Sequence, residues 1–173
     1  MALSTLVPTQ VQPATDLEVR AHEDHHASLR LWLRLLSCTT RIEQTIRQRL
    51  RERFGITLPR FDLMAQLERE PRGLTMGELS RRMMVTGGNV TAIVDQLERE
   101  DLVLRESQAG DRRSVTVRLT PAGDRAFAAM ARAHEEWIVE LFGPLSERQQ
   151  QQLHRLLGAL KQGICNPPDP ESP

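Results

Sequence analysis

Apolar positions recur at helical spacing through most of the chain. Leu35, Ile42, Ile46, Leu50 and Phe54 predict a long helix over 23–54, which Gly55 ends. Leu29, Trp32, Leu33 and Leu36 widen its apolar arc, so its first half needs cover from more than one side, and a partner subunit is one source of that cover. A second helix is predicted over 58–69, with Thr57 as N-cap, Pro59 in the first turn and Phe61, Met64 and Leu67 inward. Thr75-Met76-Gly77-Glu78 fits a capping box and opens a short third helix with Leu79 and Met83 inward. Thr86 opens a fourth, to about residue 100, whose inner stripe is Val90, Ile93, Val94 and Leu97.

The period then drops to two. Residues 102–106 and 114–119 predict a pair of strands, with Val115, Val117 and Leu119 alternating against polar neighbours and 107–113 as the connection. Thr120-Pro121 restarts a helix, lined by Phe127, Met130, His134, Trp137 and Leu141 and ended at Gly143-Pro144. Ser146-Glu147-Arg148-Gln149 is another capping box, before a final helix carrying Leu153, Leu156, Leu157, Leu160 and Ile164. The fold expected is mainly α with a small β wing: a winged helix-turn-helix flanked by terminal dimerisation helices. Its parts are a disordered tail (1–22), a dimerisation helix (23–54), a DNA-binding domain (55–120), C-terminal dimerisation helices (121–165) and a second disordered tail (166–173).

The candidate chemistry is recognition. Two short helices joined at Met84-Val85 and followed by a hairpin place the second helix in a major groove. With its apolar stripe inward, that helix presents Gly88, Asn89, Thr91, Ala92, Asp95 and Gln96. Asn and Gln suit adenine edges, and Thr and Ala methyls suit thymine. Gly87 and Gly88 clear space for the sugar-phosphate backbone, and the helix start, at Thr86, aims N–H groups at phosphate. Arg81 and Arg82 are natural phosphate contacts. In the loop Ala109-Gly110-Asp111-Arg112-Arg113, two arginines stand at a hairpin tip, where an arginine can enter a narrow minor groove, with Asp111 orienting its neighbour.

Composition changes this picture little. A formal net charge of zero excludes binding nucleic acid by bulk charge and leaves the task to local arginines. No apolar run can span a membrane, and residues 1–8 lack a secretory pattern, so the chain reads as cytoplasmic. No nucleophile is grouped with a base and no phosphate-binding glycine loop is present; no enzyme activity, cofactor or metal is expected.

Asp111-x-Arg113, five residues, then Leu119-Thr120-x-x-Gly123 resembles the wing signature of the multiple antibiotic resistance regulator (MarR) family, over roughly 23–164. The resemblance implies an obligate homodimer with interlocked terminal helices on a near-palindromic duplex, usually a repressor released by a small molecule. It makes Arg113 the minor-groove residue. Residues 58–67 and 76–91 are similar to members that control aromatic acid catabolism, some of which answer to coenzyme A thioesters of hydroxycinnamates or benzoates. The implied effector site lies between the terminal helices and the winged lobe. Its candidates are Trp32, Leu36, Phe61, Met64, Phe127, Met130 and His134 as lining, with Arg30, Arg34, Arg41 and Arg60 for a carboxylate or phosphates; core packing and surface charge are the competing roles for each.

Three alternatives stay open. Cys38 invites an oxidant-sensing role, but the chain has no tyrosine to support a thiolate, and a small buried residue is the plainer expectation. His22, His25 and His26 invite a zinc-sensing role, against solvated side chains near a loose end. A helical interaction module that binds no DNA is the third.

Overall fold

The computed structural model describes residues 27–108 and 111–165, and for 107–108 and 111–114 it describes the backbone alone. In chain order the elements are α1 (Ala27–Phe54), α2 (Leu58–Glu68), β1 (Leu74–Thr75), α3 (Met76–Met83), α4 (Gly87–Arg99), β2 (Val103–Gln108), β3 (Asp111–Leu119), α5 (Pro121–Phe142) and α6 (Glu147–Cys165). Contacts divide the chain into two units, Met1–Thr45 and Ile46–Pro173. The expected tails fall wholly or mostly outside the described residues, as do His22, His25 and His26.

The first unit is described as one stretch of helix, residues 27–45 of α1. Leu29, Leu31, Trp32 and Leu36 stand exposed on it. These apolar side chains are therefore uncovered among the described residues. Thr39 and Thr45 turn their hydroxyls back to donate to Leu35 O and Arg41 O, which spares each a separate partner.

The second unit holds the core. Ile46 and Leu50 of α1, Leu63, Met64 and Leu67 of α2, Leu79 of α3, and Val90, Val94 and Leu97 of α4 are all buried. On α5, Phe127, Met130, Ala133 and Trp137 complete it. These are the positions that 3.6-residue periodicity selects. Arg49 of α1 forks onto Glu140 of α5 at 2.6 and 2.8 Å, fixing the two helices side by side. The hydrogen bond from Arg49 holds the Glu140 carboxyl below its usual pKa.

The capping boxes form as the sequence dictates. Glu78 N–H donates to Thr75 Oγ1, while Thr75 N–H donates to the Glu78 carboxylate at 2.8 Å. Ser146 and Gln149 repeat the exchange at the start of α6. Thr57 and Thr86 occupy N-cap positions in extended conformation, but neither side chain makes a cap bond.

The sheet differs from expectation in two ways. It has a third strand: Leu74 and Thr75 pair antiparallel with Val117 and Thr116, giving the order β1-β3-β2. Two residues are too few to show a period, and Thr75 is also the N-cap of α3. The hairpin strands also run further, with Val103 opposite Leu119, Ser107 opposite Val115, and a register shift before Gln108 meets Asp111. Asp111, Arg112 and Arg113 are thus backbone members of β3 rather than of a loop. Their polar side chains read as a turn, whereas the ladder is made by backbone groups and a bulge absorbs the mismatch.

α6 buries none of its residues. Leu156, Leu157, Leu160 and Ile164 are 38–70% exposed, so the stripe expected to dimerise is only partly covered by the described residues.

Candidate nucleic-acid interface

α3 and α4 meet through a sharp turn built by two residues. Met84 takes a left-handed conformation, φ 55°, and its N–H donates to Arg81 O. Ser80 Oγ donates to Val85 O at 2.5 Å while Val85 N–H donates to Ser80 O, so the turn is closed from both ends. Val90, Val94 and Leu97, each fully buried, then fix the rotation of α4 about its axis. With that rotation set, Gly88, Asn89, Thr91, Ala92, Asp95 and Gln96 all stand exposed together.

The start of α4 is left for an outside acceptor. Thr86 makes no side-chain cap bond, although its carbonyl accepts from Asn89 and Val90 N–H. The exposed Thr91 hydroxyl donates to Gly87 O at 3.0 Å. A Cβ added at Gly87 or Gly88 would meet nothing within 4 Å. No packing within the chain demands glycine at either position, and glycine weakens a helix. A helix start that is uncapped, stripped of side chains and positive by its dipole suits a close-approaching phosphate.

Arg81 and Arg82 close α3, both exposed. Arg82 reaches back to Glu70 at 3.0 Å, a surface pair worth little, which a phosphate can displace. Behind α4, Arg105 of β2 bonds to both Asp95 and Glu98. Asp95, expected on the outer face and exposed there, also takes part in a clamp on the wing. The Asp111, Arg112 and Arg113 side chains lie outside the described residues.

The wing is anchored where β3 gives way to α5. Thr120 Oγ1 accepts from Gly123 N–H at 2.9 Å and donates to Asp101 O at 2.6 Å, while Thr120 N–H donates to Leu102 O at 3.1 Å. The Leu119-Thr120-x-x-Gly123 pattern is the chemical form of this joint.

Of the effector candidates, the structure brings together those on α2 and α5. Phe61 stacks at 5.5 Å from Phe127 and 5.2 Å from His134 between ring centroids, and Met64 and Met130 are buried on the same two helices. Phe61 and Phe127 are buried with them, and His134 is half-buried. Arg60 is buried and paired with Glu100, since a guanidinium out of water needs a counterion. Its Nε has no partner. Arg30, Trp32, Arg34 and Leu36 belong to the first unit and are exposed there, as is Arg41. Cys38, expected to be buried, is exposed too. Among the described residues no three His, Cys, Asp or Glu side chains gather as a metal site, and no helix is long and apolar enough to cross a membrane.

His134 carries a pH signature. Desolvation holds its pKa below the usual histidine value. Below about pH 6.5 the unfolded chain takes up a proton that the folded chain resists. Stability from this group is thus fully present above that pH and is lost as pH falls through the folded-state value. Urea midpoints compared between pH 7.5 and 5.5 should fall less for His134→Phe than for the parent; equal falls would show that the ring carries no linkage.

Comparison with known proteins agrees with this geometry. A family model described as MarR family matches residues 54–114. An HTH-type transcriptional regulator of Bacillus cereus is 31% identical over 131 residues, 73% of this chain and 84% of the relative. The crystal structure of a MarR family transcriptional regulator from Silicibacter pomeroyi superposes with a TM-score of 0.67 at 31% identity, over 79% of this chain and 94% of that one. Sco3205 of Streptomyces coelicolor, solved in complex with DNA, shares the fold with a TM-score of 0.68 at 24% identity, covering 80% and 87%. Helix, turn, reading helix and wing define the class, a winged helix-turn-helix regulator. The chain belongs to the MarR family of transcriptional regulators.

Proposed function

We propose that the chain works as a cytoplasmic homodimer that holds a near-palindromic operator and represses genes of aromatic acid catabolism until a ligand releases it. Residues 55–120 form the DNA-binding domain, and 23–54 and 121–165 the dimerisation helices. The observation that carries the reading is the start and outer face of α4: Gly88, Asn89, Thr91, Ala92 and Gln96 exposed on a helix whose first turn no side chain caps. Arg81, Arg82 and Thr86 flank it, and Asp111, Arg112 and Arg113 bring the wing to the minor groove. The exposed leucines of α6 and the uncovered arc of residues 27–45 supply apolar surface for a second copy.

The ligand is an aromatic carboxylate carried as its coenzyme A thioester. An anion near first-helix arginines weakens the hold on DNA by cancelling positive potential, and it acts through its different affinity for bound and released shapes. Tenfold release needs only about 1.4 kcal/mol of such coupling.

The test starts with the full chain and a pool of random duplexes. Selection should enrich half-sites about 10 base pairs apart, one helical turn, and sedimentation should show a dimer. Benzoyl- or hydroxycinnamoyl-coenzyme A should then release the selected duplex, while the free acids and coenzyme A alone should not. The exposure of Cys38 favours a second reading, oxidant release. Peroxide that releases DNA from the parent but not from Cys38→Ser, with thioesters inert, would put that reading in place of the first. Release by zinc alone would point to His22, His25 and His26. A folded monomer that enriches no duplex would leave the interaction module.

A further inference from the structure

We propose that Arg105 is a positioning residue for operator recognition: it locks the wing to the reading helix by spanning Asp95 and Glu98. This rests on the DNA-binding reading above. The observations concern two elements whose relative angle decides whether both grooves can be engaged at once.

Asp95 and Glu98 are three residues apart on α4, so they stand on one side of the helix, one turn from each other. Arg105 Nη2 bonds to Asp95 and Nη1 to Glu98, one guanidinium arm for each carboxylate. Alternation along β2 puts Arg105 on the same face as Val103, which is 1% exposed. The strand thus meets the helix through an apolar contact at its base and a forked ion pair two residues further out. The base is held independently of Arg105. Leu102 N–H donates to Leu97 O at 2.9 Å, Asp101 N–H donates to Glu98 O at 3.0 Å, and Thr120 fastens the start of the strand from the other side. Losing the fork leaves these bonds and the buried stripe of α4 in place. What is lost is the tether that sets how far the outer hairpin leans from α4.

Leverage makes that tether matter. From Val103 to Gln108 the strand extends about 17 Å at roughly 3.3 Å per residue. A tilt of about 10° at the base moves its far end by about 3 Å, close to the rise of one base pair. The backbone of Arg112 and Arg113 lies at that end, between the Gln108–Asp111 and Ser107–Val115 pairs.

Positioning and simple charge differ in what they forecast for the two carboxylates. Arg105→Gln removes one positive charge, whereas the double variant Asp95→Asn/Glu98→Gln removes two negative ones. On a polyanion, charge alone weakens the first and strengthens the second. Positioning weakens both. Arg105→Lys separates them again, since it keeps the charge but a single ammonium cannot fork across two carboxylates. The probe is the duplex that the unsubstituted chain enriches from a random pool, with a scrambled duplex for non-specific binding. The expected result is a loss of about tenfold in preference for the selected duplex in the Gln variant and in the double variant. A smaller loss is expected in the Lys variant, with thermal midpoints close to the parent in all three. Tighter binding by the double variant, or parental preference in Arg105→Gln, overturns the clamp while leaving DNA binding intact. If the unsubstituted chain enriches no duplex, the DNA-binding reading falls and takes this role with it.

Discussion

Replacing Gly123 with alanine is expected to cost the fold about 3 kcal/mol or more. Gly123 lies in the first turn of α5, where the helix crosses the end of the α4–β2 turn. A Cβ there would sit 1.9 Å from Leu102 O and 2.9 Å from Leu102 C. Neither atom belongs to a side chain that can swing away. The carbonyl is already engaged by Thr120 N–H at 3.1 Å, and the Gly123 N–H is the donor to Thr120 Oγ1. Relief of the clash must therefore move α5 off the sheet or break the cap, itself worth about 1 kcal/mol. Urea unfolding of both proteins at one concentration reads the effect, because association would otherwise shift the midpoint. Gly88→Ala is the control, since its Cβ meets nothing within 4 Å and alanine suits a helix better. A Gly123→Ala midpoint equal to that of the parent would show that the joint has room the geometry denies.

The same joint shows how much the sequence makes legible. Leu119-Thr120-x-x-Gly123 is visible as a signature, and Thr120-Pro121 as a helix start. That Gly123 is required by a backbone carbonyl twenty-one residues earlier is a fact of packing, which no local pattern carries. Helices, their breaks and two capping boxes follow from periodicity and short-range hydrogen bonding, and the structure forms them within a few residues. The outer face of α4 follows too, since an inner stripe of Val90, Ile93, Val94 and Leu97 fixes what is left outside. Long-range polar pairs do not follow. Arg60 with Glu100, and Arg105 with Asp95 and Glu98, join residues that sequence analysis assigns to a ligand, to no role, or to the DNA face. Strand β1 is invisible because it is defined by what Val117 needs as a neighbour, not by its own two residues. The effector candidates are the least legible. Aromatic and methionine side chains at helical spacing read alike whether they close on a ligand or on each other, and the contacts of Phe61 with Phe127 and His134 serve either role.

The double variant Asn89→Ala/Gln96→Ala is expected to lose most of the chain's preference for its operator while leaving its fold and its non-specific affinity alone. Both side chains are exposed on α4, and alanine is the better helix former, so no stability is lost. They stand seven positions apart, nearly two turns, about 10.5 Å along the axis at 1.5 Å per residue. At that distance the two amides meet different base pairs and their effects should add. Each bidentate amide contact discriminates by about 1–3 kcal/mol, so the pair together should cost about 2–6 kcal/mol against the selected duplex. Arg113→Ala should behave differently. In the proposed reading it enters the minor groove and meets electrostatic potential more than base identity, so its loss should lower affinity broadly and reduce the slope of log affinity against log salt by about one. Titrations of selected and scrambled duplexes at several salt concentrations separate the two patterns. The amide variant should lose the gap between duplexes at unchanged slope, and the arginine variant should lose slope with much of the gap retained. If the amide variant keeps the full gap, the outer face of α4 does not read the bases. Discrimination would then rest on duplex shape sensed at the wing, and the loss of preference should appear in Arg113→Ala instead.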